Sequence, residues 1–264
     1  MKIRHDFHIH TNLSLCGQKD ATVAHYMERA EELGLEKIGF SNHFWDEKIE
    51  GGNESFYKPQ NFAHVSQIRA ELEQYRKPGI RTYFGCEGEY DPVHHGVAMT
   101  EETAEQFDYI LIPNSHTNLT MPQSYFHPYE KCIEFMINAY NEILASPISR
   151  YITAIVHPFA ALGCPYDVSI LMDKISDDQY KTLFDKTAEK GIAIEINGSM
   201  NGFGASDMPS CSQMRIFTIA KECGCKFLFG SDSHSRDGHA FYEKAGQVAD
   251  SLGLKDGDIA AIAR

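Results

Sequence analysis

The chain has 264 residues, 42% of them hydrophobic, enough to bury one large core as a single α/β barrel or as two small domains. A formal net charge of −13 and a pI near 5.4 exclude a basic phosphate-tracking surface, and with it nucleic acid as an obligate partner. No run approaches the roughly 18 consecutive apolar residues of a membrane span, so no membrane partner is expected.

The first residues, Met1 to Phe7, run straight into a patterned strand without an apolar leader segment, and no signal peptide is expected. Seven cysteines, Cys16, Cys86, Cys132, Cys164, Cys211, Cys223 and Cys225, lack the paired spacing of a structural zinc module. A reducing cytoplasm is the expected location, and Cys223 and Cys225 read as structural thiols.

Strand one is expected over Lys2 to His10, where a period of two puts His8 and His10 on one face. After the loop from Thr11 to Asp20, Ala21 to Gly34 has helical spacing and a terminating glycine. Lys37 to His43 reads as strand two, and the loop Phe44 to Lys58 holds the only tryptophan. Gln60 to Arg76 is helical by pattern, Pro78-Gly79 stops it, and Ile80 to Tyr90 is strand three, containing Glu87 and Glu89.

Phe107 to His116 is strand four, followed by a helix from Pro128 to Ala145. Tyr151 to His157 is strand five, Asp177 to Lys190 a helix, and Gly191 to Asn197 strand six. A helix from about Cys211 to Cys223 leads to strand seven, Lys226 to Ser231, beyond which Asp232 and His234 are expected on one side by strand alternation. Gly238 to Ser251 and Asp256 to Ala263 complete the chain as helices.

Alternating strands and helices, with no linker rich in Pro, Gly or Ser, predict one domain over 1–264: a parallel barrel whose first strand pairs with its last. In such barrels the ligand site lies at the C-terminal ends of the strands. Six of the seven predicted strands end there in a metal-capable side chain; strand six, ending in Asn197, is the exception. A single histidine is more often a satisfied structural residue than a ligand, and it is the joint placement that points to metal. His25, His64 and His127 fall on or near helices and His94, His95 and His239 in loops, so these six read as surface or supporting residues; His5 reads as a barrel residue below the site.

The ordered set His8-x-His10, His43, Gly85-x-Glu87, Ser115-His116, His157-Pro158 and Gly230-Ser-Asp232-Ser-His234 resembles the polymerase and histidinol phosphatase (PHP) superfamily of metal-dependent phosphoesterases. The resemblance spans nearly the whole chain. It implies a distorted seven-stranded (β/α)7 TIM-like barrel with two or three divalent ions, Zn, Mn or Fe. One ion would be held by His8, His10, Glu87 and Asp232, and a second by Glu87, His116 and His157, with Glu87 bridging. A third would use His43 and His234, with Cys16 standing where many members have a histidine; Asp20 is the alternative, or the third position is partly empty. Glu87 is preferred to Glu89, which is left a supporting role.

The resemblance further implies hydrolysis of a small phosphate monoester, histidinol phosphate first, by a metal-activated bridging hydroxide, with Asp232 and His234 assisting proton transfer. That assignment would place the chain in histidine biosynthesis. The segment from Asn197 to Gly204 has no Lys or Arg to grip phosphate, which leaves Arg236 as the candidate and a phosphodiester as an open alternative. A C–N or C–O hydrolase is disfavoured because no lysine stands among the ligand positions, and a metal barrel serving only as a binding module is disfavoured by the near-complete ligand set.

Overall fold

The computed structural model describes residues 1–198, 210–236, 238 and 242–264. In chain order the strands are β1 (His5–Asp6), β2 (Lys37–Phe40), β3 (Arg81–Glu87), β4 (Tyr90–Asp91), β5 (Gly96–Val97), β6 (Tyr109–Pro113), β7 (Ile152–Val156), β8 (Ala193–Asn197) and β9 (Lys226–Gly230). Seven of them form one parallel sheet in the order β1-β2-β3-β6-β7-β8-β9, while β4 and β5 make a separate antiparallel hairpin that the pattern did not foretell. The sheet curls into a nearly closed α/β barrel of the TIM-like type with seven strands.

Closure rests on little backbone pairing. β1 and β9 share no ladder; the seam is an isolated bridge between Ile9 and Ser233, the Phe7 N–H to Phe229 O (3.3 Å), the Asp232 N–H to His8 O (2.7 Å) and the His10 N–H to Ser233 O (2.9 Å). The first strand is accordingly shorter than expected, two ladder residues plus Ile9. Strands three, four and five also end before Tyr90, His116 and His157, because those residues turn away from the ladder at the barrel mouth.

Apart from His5 and Asp6 in β1 and Glu195 and Asn197 in β8, the buried residues of the sheet are largely apolar on both faces, as a sheet lined by helices outside and side chains inside requires. All five residues of β6 and of β8 are buried. Inside the barrel, the ring of Tyr109 packs edge-on against Phe7 (5.1 Å between centroids), and a Cβ at Gly39 or Gly85 would overlap it. The glycine of Gly85-x-Glu87 is thus a packing requirement two residues below the site.

Local signals account for the helix limits. Thr22 caps the helix Val23–Leu33 by accepting from the His25 N–H, and Gly34 ends it in the left-handed conformation. Ser176 with Gln179 and Ser210 with Gln213 form capping boxes that open Asp177–Glu189 and Cys211–Glu222. The helix expected over Gln60 to Arg76 begins after its cap, Asn61, and divides at Ser66-Gln67 into Phe62–Val65 and Ile68–Gln74. The C-terminal helix over Asp256 to Ala263 does not form. Ile259 instead bridges Phe227 and the Ala260 N–H binds Phe227 O at 2.9 Å, so backbone groups that would close helical turns are spent on β9, leaving 3-10 turns at Asp256–Asp258 and Ala261–Ala263.

Candidate metal centre

The mouth of the barrel gathers side chains that are far apart in sequence. His8 and His10 flank Ile9, whose bridge to Ser233 keeps both rings on one face. His43 lies beyond β2, bridged to Glu87 at the end of β3. His116 and His157 stand just past β6 and β7. Asp232 and His234 enter by a different route from the alternation expected of them: β9 ends at Gly230, and Asp232 takes a left-handed conformation (φ 54°) that swings it inward. His157 is likewise left-handed (φ 29°), and such backbone costs on the order of 1–3 kcal/mol, retained where surrounding contacts enforce it.

Glu87, fully buried, is the hub. Its Oε1 lies 2.9 Å from His157 Nε2, 3.5 Å from His116 Nε2 and 3.6 Å from His8 Nε2; its Oε2 lies 3.4 Å from His10 Nε2 and 2.9 Å from His43 Nδ1. Asp232 Oδ1 is 3.3 Å from His10 Nε2 and 3.6 Å from His8 Nε2, and those two nitrogens are 3.1 Å apart. Two ligands at about 2.0–2.1 Å from one tetrahedral ion stand roughly 3.3 Å from each other, so these separations match the edges of a coordination polyhedron. His43 Nδ1 and Glu87 Oε2, although close, make no hydrogen bond to anything. Buried polar atoms left unpaired are costly, and a shared cation satisfies both. The donor set therefore fits divalent metal.

Ring orientation supports the same reading. His8 donates Nδ1–H to Glu195 Oε1 (2.7 Å), His116 donates Nδ1–H to Glu89 Oε2 (2.7 Å), and His234 donates Nδ1–H to the Asp232 carbonyl (2.9 Å). Ser14, whose hydroxyl donates to Asn42 Oδ1, accepts from His10 Nδ1 at 3.1 Å, and Ser115 Oγ holds His157 Nδ1 at 2.5 Å. Four of these rings thus donate Nδ1–H to the protein and leave Nε2 for the cluster, the tautomer a metal-ligating histidine needs, and His157 has its Nδ1 held as well.

Charge is arranged to receive cations. Burial alone would raise the Glu87 carboxyl, but the rings of His116, His43 and His8 hold it well below the carboxylate range. Asp232 is lowered in the same way, burial being outweighed by His8 and His10. Against burial, Glu195, Asp232 and Glu87 raise His8 well above its ordinary value, and Glu89 and Glu87 push His116 up to about 9. Burial and the rings of His234 and His43 hold His10 well below. Without metal, protons on His8 and His116 supply the positive charge that the carboxylates demand.

The nine residues expected as ligands fall into four overlapping groups: His8, His10 and Asp232; His8, Glu87 and His157; His43, Glu87 and His116; and His10, Cys16, His43 and His234. Shared members make these one continuous cluster. Cys16 joins it, while Asp20 is exposed and, among the described residues, belongs to no group. Glu89 sits behind His116, also accepting from the Tyr57 hydroxyl and the Tyr90 N–H. Arg236 is exposed. His25, His64, His94, His95 and His127 bond to Asp20 O, Leu13 O, Asp91, Glu142 and Tyr166, away from the cluster, and His5 is buried inside the barrel. His239 and the segment 199–204 lie outside the described residues. A cavity of about 530 Å³ at the opposite end, lined by Met1 to His5 and Arg264 among others, contains none of the clustered side chains.

Sequence reasoning passed over Glu195. Its Oε2 accepts the His157 N–H (2.8 Å) and Asn197 Nδ2–H (3.0 Å), while Oε1 takes His8. A carboxylate inside the apolar run Ile-Ala-Ile-Glu-Ile was a usable signal, since a buried charge must be paired. Gly230 lies beneath this pair; a Cβ there would overlap both Glu195 Oε1 and His8 Cβ.

Residues 6–199 match the family model described as the PHP domain. A probable phosphatase of Clostridium acetobutylicum is 23% identical over 255 residues, covering 96% of this chain and 88% of the relative. Among solved structures, a protein of Listeria monocytogenes provisionally named a histidinol phosphatase superposes with TM-score 0.67 at 15% identity, covering 89% of this chain and 97% of that one. Histidinol phosphate phosphatase of Lactococcus lactis, solved with zinc, L-histidinol and phosphate, superposes with TM-score 0.62 at 16% identity, covering 97% and 95%. Both share the fold.

Proposed function

We propose that this chain, which belongs to the PHP domain family, hydrolyses a small phosphate monoester at a centre of two or three divalent ions held by His8, His10, Cys16, His43, Glu87, His116, His157, Asp232 and His234. The observation that carries this reading is the convergence of four imidazole Nε2 atoms on the two oxygens of Glu87, at 2.9–3.6 Å, in a fully buried setting. Ions bound there supply a nucleophile from water at neutral pH and neutralise charge on the phosphoryl group.

The chain's own residues do the rest. Glu87 presents Oε1 toward His8, His116 and His157 and Oε2 toward His10 and His43, so it would hold ions on both sides of the cluster. Asp232 faces His8 and His10 through Oδ1, while Asn197 lies 3.4 Å from Oδ2. His234 sits at the rim, its side chain 30% exposed, with Nδ1 taken by the Asp232 carbonyl. One nitrogen remains, so His234 Nε2 is a ligand when the third position is filled and accepts a proton when it is not.

Histidinol phosphate is the first substrate to try, being the one that the fold neighbour's ligands imply for that protein; phosphodiesters and cyclic amides are the competing classes. Protein stripped with chelator and reloaded with Zn²⁺ or Mn²⁺ should release inorganic phosphate from monoesters and none without metal. Loaded protein that cleaves no phosphate ester but opens a cyclic amide would replace this reading with C–N hydrolysis.

A further inference from the structure

Three of the four side-chain groups at the mouth contain a carboxylate; the fourth does not. Cys16 Sγ there lies with ring nitrogens of His10, His43 and His234, all within 4.8 Å of one another. Hard oxygen donors accept manganese, magnesium and zinc alike, whereas a thiolate with imidazoles favours a borderline-soft ion. A second feature is independent of the thiol. His43 is more than nine-tenths buried, and its Nδ1, 2.9 Å from Glu87 Oε2, has no hydrogen-bond partner, so this ring stands between the thiol's group and a carboxylate-bearing one.

We propose that the position bounded by Cys16, His43 and His234 selects a thiophilic divalent ion of the zinc type over the hard ions its carboxylate-bearing neighbours accept, making the centre mixed in its metal demand. His10 belongs also to the group with His8 and Asp232, and His43 to the group with Glu87 and His116, so of these two shared rings one serves the thiol's position with Cys16 and His234 and the other its neighbour. One sulfur and two nitrogens still suffice, because a zinc site with three protein ligands keeps a fourth position open. Binding exchanges the Cys16 S–H bond for a sulfur–metal bond and releases one proton to solvent. Exposure of Cys16 gives that position access from water, whereas the ligands of the inner groups are buried.

This inference rests on the metal-dependent reading of the centre, but its test does not use turnover. Metal-free full-length protein is loaded with Zn²⁺ or with Mn²⁺, treated with iodoacetamide and mapped by peptide mass. Zinc should slow alkylation of Cys16 by about tenfold or more and manganese by less than about twofold, with the exposed Cys211 unchanged as internal reference. Cobalt should give a thiolate charge-transfer band that is lost in Cys16→Ser and kept in Cys211→Ser. Cys16→Asp should shift retention from zinc toward manganese. Equal protection by both metals, or alkylation at the metal-free rate with zinc and no cobalt band, overturns the proposal. A chain that passes these tests and hydrolyses no phosphate ester would leave this inference standing and remove the proposed function.

Discussion

Oε1 of Glu195 accepts the Nδ1–H of His8 at 2.7 Å, reaching from β8 to the first strand across β9, which lies between them. The same carboxylate fixes the backbone of His157 and the amide of Asn197, so one residue that faces none of the inward nitrogens sets the orientation of two that do.

Glu195→Ala should therefore weaken metal retention by about 10–100-fold, the usual loss when a ligand's supporting carboxylate is removed. Leaving a buried imidazole and a backbone N–H unpaired should also cost on the order of 3–5 kcal/mol. Chelator competition and thermal unfolding measure the two effects, and Glu195→Gln should recover part of both. Unchanged metal affinity in the alanine variant would show that His8 needs no orienting partner.

Glu87→Ala or His116→Ala should remove metal and reduce turnover by more than about a hundredfold, whereas His25→Ala, whose ring bonds to Asp20 O, should do neither. Metal analysis alongside phosphate release makes the comparison; equal losses in all three variants would count against the ligand assignment.

His116, raised from 6.5 to about 9 chiefly by Glu89 and Glu87 against its burial, couples metal to pH. The folded metal-free protein holds a proton there that the unfolded chain releases above 6.5. The stabilisation is thus complete below 6.5 and lost as pH rises through about 9, roughly 3 kcal/mol in all. A metal ion bound at His116 Nε2 would displace this proton, so affinity should climb with pH and level off above about 9. Calorimetry in buffers of different ionisation enthalpy should show proton release, and a binding constant flat over that range would contradict the assignment.

His5 predicts the opposite edge. Burial pushes it down to about 4 from 6.5, with Asp6 opposing, and its Nε2 accepts the Phe229 N–H at 3.1 Å, which requires the neutral ring. The unfolded chain takes up a proton below 6.5 that the fold resists, so stability is full above 6.5 and falls as pH drops through about 4, by up to about 3 kcal/mol. His5→Gln keeps an acceptor and should flatten this acid limb in denaturant melts; an identical acid limb would assign the loss to other groups.

The barrel and its cluster were legible because parallel strands buried on both faces read as apolar runs and because metal-capable residues recur at their ends. What was hidden depends on partners distant in sequence. Nothing local shows that Ile259 leaves a helical pattern to bridge Phe227, or that Asp232 reaches the site through a left-handed turn. Glu195 was missed because strand six was judged by its last residue, Asn197, when the functional carboxylate sat two positions earlier and acted through His8.

The seam between the first and last strands is stitched by a few backbone bonds at Phe7, His10 and Asp232, with no ladder behind them. Buried side-chain bonds from Asp6 to Ser231 and from His5 to the Phe229 N–H reinforce it, and with His8 and His10 on one lip and Asp232 and His234 on the other, a cation held between them would rivet the same join. The ligands and the closure of the wall thus share one place in the fold, and an ion bound between the two lips would add a crosslink where the first strand meets the last.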